Sequence, residues 1–94
     1  MGILMNATFT VRHNVADFAT WRAAYDSAET IRNQHGCTAH KVYRAPNDTN
    51  DIFVTHDFPS VEQAAAFAAD PALAAAMQNG GVQSAPRIEI FESV

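Results

Sequence analysis

Residues 6–13 read NATFTVRH, and the fold is decided by how this stretch alternates. Ala7, Phe9, Val11 and His13 fall on one side and Asn6, Thr8, Thr10 and Arg12 on the other. That is the two-residue period of a strand whose faces meet different surroundings. The apolar side closes on a histidine. The same device recurs in HKVYR (residues 40–44) and IFVTH (residues 52–56), each with a histidine on its predominantly apolar side. If these strands are neighbours, His13, His40 and His56 meet at one end of a sheet.

Working outward, Asn14 to Ala16 link the first strand to a helix that Asp17 can cap, with Thr20 three residues on as an imperfect capping box. Phe18, Trp21, Ala24, Tyr25, Ala28 and Ile31 recur at three and four residues and share one face. Arg22, Asp26, Glu29 and Arg32 are assigned to the rest. The spacing predicts a helix to about His35, ended by Gly36, the residue type that tolerates a left-handed turn. Thr38–Arg44 is the next strand, APNDTND a hairpin loop and Ile52–Phe58 the third strand. Keeping Arg44 opposite Ile52 sets Val42 beside Val54 and His40 beside His56. Pro59 ends that strand, and Ser60 with Gln63 has capping-box spacing for an alanine-rich helix. Asp70-Pro71 predicts a break and a restart. Gly80 and Gly81 stop the second part, and Arg87–Glu92 is the last strand.

Composition limits what the chain does. At 94 residues it is one domain spanning 1–94, small enough that association would help it bury apolar surface. A net charge of −4 with 6 Lys plus Arg offers no cation cluster for phosphates, so no nucleic-acid partner is expected. No apolar run approaches the roughly 20 residues of a membrane helix. MGILMN lacks the pattern of a signal peptide, so the expected compartment is the cytoplasm. Gly2 meets only part of a myristoylation motif, because Asn6 stands where Ser or Thr is wanted, and Met5 is an alternative start. Cys37, the single cysteine, reads as a small buried residue at a strand start.

Strand, helix, strand, strand, helix, strand is the order of an α+β, ferredoxin-like βαββαβ fold on one four-stranded antiparallel sheet. The expected layout has strands one and three parallel in the centre, with strands two and four outside and both helices on one face. Phe9, Val11, Val42, Ile52, Val54, Ile88 and Ile90 should lie under the helices. Tyr43, Phe53 and Phe91 stand on the opposite face with Thr8, Thr10, Arg12, Lys41, Thr55 and Glu89. That amphipathic face suits a homodimer in which two sheets close into a barrel.

Three stretches, VRHNVADFATWRAAYD, KVYRAPNDTNDIFVTHDF and VEQAAAFAADPALAAAMQNGGV, resemble the antibiotic-biosynthesis-monooxygenase-like superfamily of dimeric α/β barrels over nearly the whole length. The resemblance implies a small-molecule ligand and one of several activities: cofactor-independent oxygenation of polycyclic aromatics, haem degradation, polyketide cyclisation or lactone isomerisation. Oxygenase relatives often place Asn, Trp, Tyr or Arg in the cleft between sheet and helices. Asn6, Trp21, Tyr25 and Arg44 are the corresponding residue types here. Fold alone does not select among these activities.

The residues leave three readings open. One histidine of His13, His40 and His56 can act as a base on a phenol or activated carbon, with no cofactor. All three together can hold a divalent transition metal. Or each closes the edge of the core, bonded to Asp57, Tyr25 or backbone, in a non-catalytic binding or assembly module. Trp21 and Tyr25, one turn apart, with Phe9 and Phe67, are the candidate lining of an aromatic substrate pocket. No nucleotide-binding glycine motif, nucleophile elbow or catalytic carboxylate pair competes with these readings.

Overall fold

The computed structural model describes residues 6–94, so the readings of Gly2 and Met5 lie outside the described residues. Strand β1 (Ala7–Asn14) leads into α1 (Phe18–Ser27) and α2 (Glu29–Gln34). After β2 (Ala39–Ala45) and β3 (Asp48–Phe58) come α3 (Val61–Ala69), α4 (Pro71–Asn79) and β4 (Arg87–Glu92). The sheet order is β2-β3-β1-β4 and every neighbouring pair is antiparallel. The expected α+β, ferredoxin-like architecture is therefore present.

One expectation about it is corrected. β1 and β3 are the central pair, but they run antiparallel, with His13 opposite Ile52 and Phe9 opposite His56. The reason is topological. A right-handed crossover returns β2 parallel to β1, and the hairpin then reverses β3. The hairpin register itself is as expected, with Arg44 opposite Ile52, Val42 opposite Val54 and His40 opposite His56. Its loop is tighter than predicted: the strands continue to Ala45 and from Asp48, and a register shift between Arg44 and Ala45 absorbs the extra residues.

Local chemistry fixes the helix ends. Asp17 accepts from the Thr20 amide at 2.9 Å and Ser60 from the Gln63 amide at 3.2 Å, each satisfying an otherwise unpaired first-turn donor. Asp70 ends α3 in extended backbone and caps α4 by accepting from the Ala72 amide at 2.9 Å, so the predicted break is there. A second break was not predicted: Ala28 (φ −84°, ψ 8°) divides the first helix into α1 and α2. Gly36 closes α2 at φ 78°, and a Cβ there would meet Gln63 Nε2 at 2.6 Å. That amide nitrogen donates to the His35 carbonyl at 3.2 Å, so the turn and α3 are joined through the space a side chain would need.

The core lies between sheet and helices, with Phe9, Phe58, Phe67, Ile52, Val15 and Val54 fully buried. Burying each such side chain contributes about 1.5–3 kcal/mol. Ile88 departs from expectation. It stays exposed because β4 is an edge strand. On the other face Tyr43, Phe53 and Phe91 are exposed, with Phe91 at 55%. Among the described residues no helix is long and apolar enough to cross a membrane.

Candidate active site

Under the helices, β1, α1, α2, β3, α3 and α4 line a partly open cavity of about 40 Å³. Its walls are Phe9, Val11, His13, Trp21, Tyr25, Ala28, Arg32, Val54, His56, Phe67, Leu73, Ala76 and Met77. Helical spacing sets Trp21 and Tyr25 one turn apart, and their rings stack with centroids 5.0 Å apart. Gly80 permits the close approach of α4 to this pair, since a Cβ on it would lie 3.1 Å from Trp21 Cδ1. Phe9, Phe67 and His56 form a second aromatic group, with centroid separations of 5.0–5.4 Å. The four expected pocket residues Phe9, Trp21, Tyr25 and Phe67 thus line one space.

The three histidines do not converge. His40 and His56 are cross-strand neighbours with near-parallel rings 6.1 Å apart. His13 sits four positions along β1 from Phe9, the partner of His56. At about 3.3 Å per residue that is roughly 13 Å along the strand. Trp21 packs on His13 at 5.8 Å, on the side from which Tyr25 reaches toward His56. The expected three-histidine metal arrangement is corrected accordingly, because it needed β1 and β3 parallel. Among the described residues no group of three His, Cys, Asp or Glu side chains is placed to hold a metal ion.

Each imidazole has its own surroundings. His56 is 3% exposed, and burial first, then the charge of Arg32 and the neighbouring His40, push it down to about 3. It is neutral at neutral pH and a weak base. His13 is 4% exposed and also lowered by burial; both of its ring nitrogens lack hydrogen-bond partners. His40 is exposed at the rim and lowered, chiefly by desolvation and then by Arg32. Its Nδ1 is hydrogen-bonded to the Tyr25 hydroxyl. Burial pushes the Tyr25 phenol up to about 12, so the phenol donates and a neutral His40 accepts.

Arg32 is the residue that sequence reasoning missed. Assigned to the solvent side, it is 4% exposed and lines the cavity, with Cζ 4.1 Å above the Tyr25 ring. Its charge hid a periodicity: positions 18, 21, 25, 28 and 32 are one stripe at three- and four-residue steps. Arg44 is not in the cavity, since its guanidinium packs 4.4 Å over Phe18. Asn6 is exposed, and its carbonyl accepts from the Ser93 amide. Burial raises the Cys37 thiol, whose Sγ lies 3.3 Å from the Ala39 carbonyl oxygen.

A larger groove of about 330 Å³ lies on the opposite sheet face, among Arg12, Arg44, Asp51, Phe53, Arg87 and Glu89. Arg12 is paired with Asp51 at 2.7 Å and Arg87 with Glu89 at 3.1 Å, so its charges are largely matched. The cavity under the helices is lined by residues with unmatched buried nitrogens, His13, Arg32 and His56, and is the better candidate site.

The chain has an α+β fold built like that of solved antibiotic-biosynthesis-monooxygenase structures. Solved structures bear out that fold. SnoaB, a cofactor-independent oxygenase from Streptomyces nogalater, is similar with a TM-score of 0.76 at 15% identity, over 93% of this chain and 91% of that one. An antibiotic biosynthesis monooxygenase is similar with a TM-score of 0.72 at 11% identity, over 94% and 98%. A protein of unknown function from Nitrosomonas europaea gives 0.74 at 23% identity, over 97% and 91%. No protein-family profile matches the sequence, and no curated protein sequence matches it. At these identities the likeness is one of fold.

Proposed function

We propose that this protein is a small-molecule enzyme that removes a proton from an aromatic or polyketide-like substrate, opening the way to cofactor-independent oxygenation, cyclisation or isomerisation. The observation that carries this reading is the Tyr25–His40 hydrogen bond, which joins the wall of an aromatic cavity to its exposed rim. Tyr25 gives its phenolic proton to His40 Nδ1 as it takes one from the substrate hydroxyl or activated carbon. His40 is the stronger base of the neighbouring pair. His56, held at about 3, serves as cavity wall and hydrogen-bonding group. The similarity in fold to a cofactor-independent oxygenase supports the same direction.

At about 40 Å³ the cavity holds on the order of two or three water molecules, so a ring enters only as the wall gives way. Leu73, Ala76 and Met77 of α4 form the part that follows the Asp70 break. Two copies meet through the outer sheet face in this reading, covering Tyr43, Phe53 and Phe91.

The test is turnover of anthrones, naphthols and linear polyketide mimics by purified protein, followed by oxygen uptake and product mass. Turnover that depends on His40 supports the proposal. A substrate turned over equally well by His40→Gln overturns the assignment of the base.

A further inference from the structure

We propose that the cavity is selective for planar molecules carrying a delocalised oxyanion, with the negative oxygen seated on Arg32 and the ring among Tyr25, His56 and Phe67. This rests on the reading of the cavity as a substrate site and adds the charge of what enters it.

Arg32 is buried to 4% exposure, its Nε has no hydrogen-bond partner, and it joins none of the ion pairs among the described residues. Burying an unpaired charge is strongly unfavourable, and a cation over an aromatic face recovers only part of that cost. The Tyr25 ring 4.1 Å away is such a partial partner. The acids whose charge reaches nearby His40, Glu29 and Asp26, are exposed, and Asp26 is paired with Arg22 at 3.2 Å. Around the same cavity His56 Nδ1 and both His13 nitrogens also lack partners. Buried nitrogens without partners on three residues that line one apolar space favour a ligand that supplies oxygen atoms as the wall gives way.

The charge and the ring follow from the wall. A neutral molecule would leave the guanidinium unpaired, whereas an oxyanion gains a charge-assisted hydrogen bond from its planar fork. Phosphate or sulfate would meet Phe9, Phe67 and Trp21 with its hydration shell removed. A carboxylate or phenolate attached to a conjugated ring satisfies both demands.

The test uses the whole chain and matched probes: benzoate against benzamide by calorimetry, and 4-nitrophenol titrated through its own ionisation in the presence of the protein. The expected result is benzoate binding at least about tenfold tighter than benzamide, or nitrophenol ionising at lower pH when bound, seen in its phenolate absorbance. Benzoate alone identifies a carboxylate, nitrophenol alone a phenolate or enolate, and both an oxyanion in general. Arg32→Met should remove the preference while sparing benzamide. Arg32→Lys, which keeps the charge without the fork, should reduce it and serves if the methionine variant does not fold. A ligand preference absent from the wild type, or intact in Arg32→Met, overturns the proposal. If the neutral probes bind as well as the anions, the site survives and only its charge selectivity falls; if no probe binds, the reading of the cavity as an aromatic substrate site falls too.

Discussion

The hydroxyl of Tyr25, inside the cavity wall, is hydrogen-bonded to Nδ1 of His40 at the exposed rim. Two groups from different elements, 15 residues apart, are thereby held as one proton path. General acid–base groups contribute about 10²–10⁴-fold to rate. Tyr25→Phe and His40→Gln should each lower kcat within that range, and the double variant should cost little more than either alone. In the wild type, kcat/KM should fall as acid protonates His40, whose lowered affinity for protons puts that fall below about pH 6.5. A pH–rate profile in both variants checks this.

Stability should also depend on acid. His56 binds a proton near pH 6.5 when unfolded but only near 3 when folded, and His13 is shifted the same way. Between those values the unfolded chain holds the additional protons, so stability is present above about pH 6.5 and is lost as pH falls toward 3. The His56 contribution is on the order of 5 kcal/mol at full protonation. Urea unfolding at pH 7, 5.5 and 4.5 should show falling stability. His56→Leu should flatten that slope by about one proton, and an unchanged slope would count against the burial of a neutral His56.

Asp70 holds two elements at once, accepting from the Ala72 amide through one oxygen and pairing with His35 Nε2 at 2.8 Å through the other. Asp70→Ala should cost about 1–2 kcal/mol, most of it from the cap, since partly exposed ion pairs contribute little. Asp70→Asn should keep the cap and lose much less. Chemical denaturation of the two variants separates the effects.

Phe91, 55% exposed on the outer face, tests association. Phe91→Lys should shift the mass measured by light scattering toward the 10.2 kDa of one chain. If the wild type already runs at that mass, the sheet face is not a stable interface between copies.

Much of this was legible because short-range rules govern it. The caps at Asp17 and Ser60, the break at Asp70 and the pairing of His40 with His56 follow from residue type and spacing within one hairpin or turn. His13 was misplaced because its neighbours depend on the relative direction of β1 and β3, which a crossover and a hairpin decide together. The stop at Ala28 carries no glycine, proline or cap side chain to announce it; its amide is within reach of both the Ala24 and Tyr25 carbonyls, the mark of a tightening last turn. Arg32 was concealed because charge argues for solvent, whereas its place in the stripe from Phe18 argues for the interior.

The cavity residues Phe9, His56 and Phe67 lie on the side of the sheet turned away from Tyr43, Phe53 and Phe91. In the proposed pairing through the outer face each copy keeps its own cavity, and specific activity should hold constant when dilution parts the copies. Under the proposed function, association and chemistry fall on opposite sides of one sheet.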